Sequence, residues 1–477
     1  MNDPGHEWLV GVSPADPADE IGRFAVAGEP EVESAVARAR RAFPAWRDAG
    51  LEARAGILRR FRDLAREGAE DLARLIAREV GKALWDARAE AALVATKVDL
   101  TLEHGMGFVA PIEPGAGARA EHLPRGVLAV LGPFNFPAHL PNGHIVPALA
   151  TGNSVVFKPS DLAPATAEWM ARAWRRAGLP EGVLEVVHGR AEAGSALARH
   201  PDVDGVLFTG SYGVGRALEQ ALQGQPGKLL ALEMGGKNAI VVLADADLEL
   251  ALAESALSIC ASTGQRCSCA SRLFVERSLL EAFTERLVRV LRGVKVGPPL
   301  EAGAFMGPLV SQAAHAKLLR YRALAGEAGA ERLLAVDPGR PAPFAGAGLV
   351  RFGSTKQDHP YQRDEIFGPE AALYPVESLD EAIAAVNDSD FGLVASVMTK
   401  DRASFEHCIP RLRTGVLNWN RGTIGASGRL PFGGLRRSGN HRPAGIFSTL
   451  YCTTPQARLE HAGGFDPASL PPGMPRP

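Results

Sequence analysis

Three residues in Gly- and Pro-punctuated stretches have the side chains that acyl chemistry needs. Cys267 lies in Gly264-Gln265-Arg266-Cys267-Ser268-Cys269, Glu233 in Leu232-Glu233-Met234-Gly235-Gly236-Lys237-Asn238, and Asn135 in Pro133-Phe134-Asn135-Phe136-Pro137. A lone cysteine is ordinarily a small buried hydrophobe. A cysteine in the company of a carboxylate and an amide can do more. Its thiolate can attack an aldehyde carbonyl, and the alkoxide formed needs hydrogen-bond donors where the charge develops. The amide of Asn135 and the backbone N–H of Cys267 are candidates for that role. The alkoxide can expel hydride only to an acceptor such as a nicotinamide ring. The thioester left behind needs a base to activate water, and Glu233 is the candidate.

The elements that must position these residues follow from the hydrophobic pattern. Short continuous apolar runs at Gly126–Leu131, Ser154–Phe157 and Val183–Val187 alternate with helical stretches at His144–Ala150 and Pro164–Ala177. Strands of that kind are buried on both faces, so the expectation is an α/β fold with a parallel, doubly wound sheet. Ligands bind beyond the carboxyl ends of such strands, which places Asn135, Lys158 and the loop Gly210–Gly215 on one rim. Val206 to Gly215 followed by a helix over Arg216–Leu222 is a strand, a Gly-rich turn and a helix N-terminus, suited to a phosphate. Its order is G-x-x-G-x-G, not the G-x-G-x-x-G dinucleotide fingerprint, and an ordinary turn reads the same way.

A second α/β unit begins near residue 235. Before the first sheet, Pro30 to Gly105 shows helical periodicity, and residues 1–30 form an irregular or short-stranded lead-in. Residues 106–124 lose that periodicity and suggest an extended arm or hairpin. Leu333–Ala347 is expected to be irregular and Arg442–Tyr451 a terminal strand. From Gly463 the chain is Pro-rich and is expected to fray.

Composition narrows the classes of partner. The 477-residue chain has a formal net charge of -2, which favours neither nucleic acid nor an anionic membrane surface. It has no run of about 18 apolar residues and hence no expected membrane span. Five cysteines, an odd and sparse count, do not suggest a disulfide framework and fit a reducing cytoplasm. The C-x-C of Cys267 and Cys269 has no second Cys/His pair nearby, so no metal site is expected.

With these residues placed, the chain resembles the NAD(P)-dependent aldehyde dehydrogenase superfamily. The resemblance rests on Pro133–Pro137, Lys158-Pro159-Ser160, Phe208–Gly215, Leu232–Lys237, Gly264–Ser268, Glu365–Pro369 and Pro431-Phe432-Gly433-Gly434, in the family's order. It implies an aldehyde dehydrogenase-like fold: two doubly wound αβ domains plus a small β oligomerisation arm. Residues 1–105 and 125–234 would form the NAD-binding domain and 235–442 the catalytic domain. Residues 106–124 and 443–462 would form the arm, with 463–477 a flexible tail. It further implies that Cys267, Glu233 and Asn135 are catalytic and that Lys158, Ser160 and Asp161 meet the adenine ribose. Gly210, Ser211, Tyr212, Gly213, Val214 and Gly215 would line the cofactor, and Glu365 and Phe367 would hold the nicotinamide ribose. NAD is the implied cofactor, with NADP possible, and the implied assembly is a homodimer or homotetramer.

The stretches Phe136–Pro147, Gly264–Ala270 and Ser438–Pro443 are similar to a branch of that family whose substrate is a succinylated glutamate semialdehyde of arginine breakdown. For such a multiply anionic small-molecule aldehyde, His139, Arg266, Arg421 and His441 are the candidate carboxylate contacts. Asp161 stands where the family often has Glu, Ala239 where it often has Pro, and Arg421-Gly422-Thr423-Ile424 departs from the branch. Another semialdehyde or a broad range of aldehydes is therefore the alternative substrate. A CoA-acylating enzyme would leave Glu233 without its hydrolytic use. A cofactor-free Cys hydrolase would leave the Gly-rich and Glu365 loops without one.

Overall fold

A computed structural model describes residues 7–115, 117–461, 463–464, 466 and 470–476. The expected tail, 463–477, and the arm positions 116 and 462 fall partly or wholly outside these residues.

The continuous apolar run is the centre of the first sheet. Its strand Val127–Leu131 is buried at every position. Five parallel strands lie in the spatial order Leu184–Val186, Ser154–Lys158, Val127–Leu131, Gly205–Gly210, Leu229–Met234. Side chains alternate between the faces of a strand. Leu128 and Val130 pack with Phe61, Ile76, Val94, Phe157 and Trp174 on one side, where the Phe61 and Trp174 rings stack at 3.6 Å. Val127, Ala129 and Leu131 pack with Val32, Ala35, Val36 and Ala39 on the other. The covering helices are Glu29–Asp48, Leu51–Glu67, Ala69–Val80 and Leu84–Glu103, as the periodicity of that region predicts. Strand order reverses between Val127–Leu131 and Gly205–Gly210, so a crevice opens at the carboxyl ends of these two strands.

The second sheet has seven strands in the order Glu331–Ala335, Gly348–Arg351, Glu370–Val376, Ala270–Glu276, Asn238–Val242, Val394–Met398, Val416–Trp419. All neighbours are parallel except the first pair. Alternation again divides the core: Ala239, Val241 and Phe274 face one layer, Ile240, Val242, Leu273 and Val275 the other. A third, antiparallel sheet joins Thr453–Leu459 to Ala118–Pro124 and that strand to Ile112–Gly115.

The lead-in takes the short-stranded form of the two expected, with Trp8–Ser13 paired to Asp16–Ala25. Four local expectations need correction. The helix expected from His144 spans His139–Ala150, because Glu90 Oε1 accepts the N–H groups of Ala138 and His139 at its start. The helix expected from Arg216 begins at Tyr212, with Ser211 as its N-cap. Arg442–Tyr451 is a two-residue strand, Ala444–Gly445, and a short helix, Ser448–Tyr451. Part of the stretch expected to be irregular, Leu333–Ala335, is also strand. Among the described residues no helix is long and apolar enough to cross a membrane, and no group of three His, Cys, Asp or Glu side chains could hold a metal ion.

Candidate active site

A cavity of about 1060 Å³ fills the crevice, and Asn135, Glu233 and Cys267 all line it. Cys267 follows a segment of unusual backbone. Ser262, Thr263 and Gly264 have φ of 50°, 56° and 70°, values that side-chain-bearing residues adopt only when their surroundings compel them. The surroundings do so here. Ser262 Oγ donates to Asp86 Oδ2 at 2.5 Å, and Arg266 donates to Ser262 Oγ at 2.8 Å and to Asp86 Oδ1 at 2.6 Å. Thr263 Oγ1 donates to the Gly307 carbonyl at 3.0 Å, and Gln265 Oε1 accepts from Val310 N–H at 3.0 Å. The Asn238 amide donates to the carbonyls of Cys267 and Cys269 at 2.7 and 2.9 Å. Only glycine fits at 264, because a Cβ there would stand 2.1 Å from the Gly368 carbonyl carbon.

Asn135 is buried and gives one amide N–H to the Gln265 carbonyl at 2.9 Å, which ties it to the Cys267 loop and leaves its second N–H. Glu233 closes the edge strand of the first sheet. The Asn440 side chain extends that edge, accepting from Leu232 N–H and donating to the Leu230 carbonyl, each at 2.9 Å. Glu233 Oε2 is buried with no hydrogen-bond partner among the described residues. Oε1 lies 2.8 Å from where a Cβ on Gly433 would sit, so the Pro-Phe-Gly-Gly loop can close over the carboxylate only with glycine there. Burial raises the Glu233 pKa well above the ordinary carboxyl value, against one backbone donor, Ala444 N–H. Burial, reinforced by Glu365 and Glu233, also pushes the Cys267 thiol up. Both groups therefore hold protons more tightly than they would in water.

Of the residues expected at a cofactor, the cavity is lined by Lys158, Ser160, Asp161, Gly210, Ser211, Gly213, Val214, Glu365 and Phe367. Tyr212 and Gly215 are not brought to it. The Arg437 guanidinium lies over the Tyr212 ring at 4.9 Å, and a Cβ on Gly215 would meet Met234 Sδ at 2.4 Å. Gly215 is thus a helix–strand packing position. The rest fits a dinucleotide. The first helical turn after Ser211 presents backbone at Gly213, where nothing lies within 4 Å of an added Cβ. Glu365 Oε1 accepts from Gly236 N–H at 2.9 Å, and burial raises its pKa to about 7. Phe367, at φ 60°, sets its ring edge-on to Phe134.

The four expected carboxylate contacts separate. His139 lines the cavity with Nδ1 unpartnered, but burial, with Lys97 and Lys82 nearby, lowers its pKa to about 4, so it is neutral. Arg266 also lines the cavity, yet its charge is matched by buried Asp86 and its guanidinium sits 5.1 Å from the Phe136 ring centroid. Arg421 and His441 are exposed and do not line the cavity. Arg421 belongs to the turn after Val416–Trp419, held by Ser396 Oγ donating to its carbonyl, with its guanidinium 3.8 Å from where a Cβ on the lining residue Gly425 would sit, and His441 belongs to a turn at φ 64°. Sequence reasoning missed Asp86, Asn238, Lys97 and His144. His144 is buried between the Tyr451 hydroxyl at 2.8 Å and Thr209 Oγ1 at 3.2 Å, and burial lowers its pKa to about 3. Asn238 stood in the quoted Leu232–Asn238 block and His144 in the Phe136–Pro147 stretch; Asp86 and Lys97 lie within a helix, where nothing local marks them.

This fold and cavity belong to a recognisable class: the family model for the aldehyde dehydrogenase family matches residues 4–457, and the chain belongs to that family. Within it, the chain is 40% identical to an N-succinylglutamate 5-semialdehyde dehydrogenase of Paraburkholderia xenovorans, over 98% of each chain. Among solved structures, it superposes on an NAD-dependent aldehyde dehydrogenase from Sinorhizobium meliloti with TM-score 0.92 and 30% identity, covering 98% of this chain and 94% of that one. An NADP-dependent enzyme of E. coli gives TM-score 0.90 at 31% identity, covering 96% and 95%.

Proposed function

We propose that this chain oxidises N-succinyl-L-glutamate 5-semialdehyde to the carboxylate with NAD, a step of arginine catabolism. The observation that carries the reaction is the convergence of a thiol, a carboxylate with a bare buried oxygen and a spare amide N–H on one cavity. The similarity to the Paraburkholderia enzyme supports the substrate. Cys267 Sγ, once deprotonated, bonds to the aldehyde carbon. The Asn135 amide and the Cys267 N–H hold the oxygen as it gains charge, each such donor contributing about 100- to 1000-fold. Lys158, Ser160 and Asp161 would hold the adenine ribose, Gly210, Ser211, Gly213 and Val214 the pyrophosphate, and Glu365 and Phe367 the second ribose. A nicotinamide placed there supplies a hydride acceptor. Glu233 then takes a proton from water, whose oxygen attacks the thioester carbon. The carboxylate product leaves and the Cys267 sulfur is regained. A raised carboxyl pKa suits that base, since it is stronger when ionised.

Asp161 supports NAD over NADP, because a carboxylate near the ribose hydroxyls repels a 2′-phosphate. A cytoplasmic homodimer or homotetramer is part of the same reading, with the exposed edge strand Thr453–Leu459 as the pairing element. The test is steady-state NADH formation with the succinylated semialdehyde, succinate semialdehyde and hexanal, with NAD and NADP in parallel. The expected result is a kcat/KM preference of about 100-fold for the first substrate, about 2.7 kcal/mol. Equal rates on all three would discard that substrate.

A further inference from the structure

Lys97 sits on the helix Leu84–Glu103, on the face shared by Leu93, Thr96 and Leu100, and these four residues line the cavity together. The residue is only 6% exposed. Nζ donates to the Gly445 carbonyl at 2.7 Å and to Ser448 Oγ at 3.4 Å. No carboxylate among the described residues forms an ion pair with it. The neighbouring cations differ in this respect: Lys82 is paired with Glu90 and Arg266 with Asp86. His139 and His144 nearby are neutral, and burial pushes the Cys452 thiol up to about 12 and raises the Tyr451 hydroxyl, so neither supplies an anion. A buried ammonium without a counter-ion is unfavourable unless a ligand supplies one. Burial draws the Lys97 pKa down only to about 8, so the amine is still protonated at neutral pH.

Position completes the case. The segment that accepts from Lys97 at Gly445 gives its Ala444 N–H to Glu233. Consecutive Cα atoms are about 3.8 Å apart, so the ammonium and the carboxylate base hang from adjacent residues of one strand. A carboxylate a few bonds from the reacting aldehyde carbon would lie within reach of Lys97.

We propose that Lys97 binds a carboxylate of the substrate and is the charged group that selects an anionic semialdehyde. The assignment deepens the substrate reading above and rests on it. Lys97→Met should lower kcat/KM for the succinylated semialdehyde about 100-fold, mainly through KM. The same variant should leave hexanal turnover within about threefold, since hexanal has no carboxylate to lose. Lys97→Arg should restore part of the anionic activity. Equal losses on both aldehydes, or no loss on either, would overturn the assignment, the first by making Lys97 structural. If Lys97→Met is insoluble, Lys97→Gln is measured the same way. A wild type that prefers hexanal would sink the substrate reading instead. The Lys97 assignment would then be decided on succinate semialdehyde, whose kcat/KM must fall in the variant while that for hexanal holds.

Discussion

Glu365→Gln isolates the consequence of burying a carboxyl beside the cofactor crevice. In the folded protein burial raises Glu365 from 4.5 to about 7, with the Gly236 N–H, Lys317 and Lys237 only partly offsetting it. At about 1.4 kcal/mol per pH unit, that shift amounts to about 3 kcal/mol. The sign follows from which state ionises first. Below pH 4.5 the carboxyl is neutral in both states and has no effect. From 4.5 to 7 the unfolded chain loses its proton first, so stability falls as pH rises. Above 7 the loss is complete. Glutamine keeps an oxygen for the Gly236 N–H and cannot ionise, so the variant escapes the loss. Melting temperatures of cofactor-free wild type and variant at pH 5 and pH 8.5 make the comparison. The variant's advantage should grow by up to about 3 kcal/mol between the two pH values. Its KM for NAD should rise about tenfold, through loss of a charged acceptor. An offset in melting temperature that is the same at both pH values would refute the reasoning.

Other substitutions test the loop that carries the thiol. Asp86→Ala strips the counter-charge from Arg266 and the acceptor from Ser262. Breaking such a buried pair should destabilise the protein by about 3–5 kcal/mol, measurable as a lowered denaturation midpoint, with turnover falling as Cys267 loses its backbone support. Gly264→Ala sets a Cβ against the Gly368 carbonyl at φ +70°, so thermal melting should show a loss beyond about 3 kcal/mol or no folded protein at all. Cys267→Ser should abolish turnover, by about 10⁴-fold or more, while a fluorescence titration shows NAD binding nearly intact.

The sheets were legible because a strand buried on both faces must be apolar throughout, as Val127–Leu131 and Ser154–Phe157 are. The reacting groups were legible because their neighbours are glycines and prolines, which mark close backbone approach: Gly264 against Gly368, Gly433 against Glu233. Helix starts were less so, since Glu90 caps His139–Ala150 from a residue 48 positions away. The substrate contacts were hardest to see. Arg266 is a cation beside the thiol, but nothing local announces that Asp86, 180 residues earlier, has claimed it. Nothing in the sequence around Lys97 marks it, because only the packing of Ser448–Tyr451 and its approach strand against that helix makes it buried.

The central claim is an acyl group carried on Cys267 and released by Glu233. Glu233→Gln, mixed rapidly with NAD and the succinylated semialdehyde and quenched in acid, tests it most directly. The expected result is a burst of about one NADH per active site, slow turnover thereafter, and the acyl mass on the peptide containing Cys267. A quenched protein with a full burst and no adduct on Cys267 would contradict the covalent route. Loss of the burst itself would place Glu233 before the thioester, at deprotonation of the thiol.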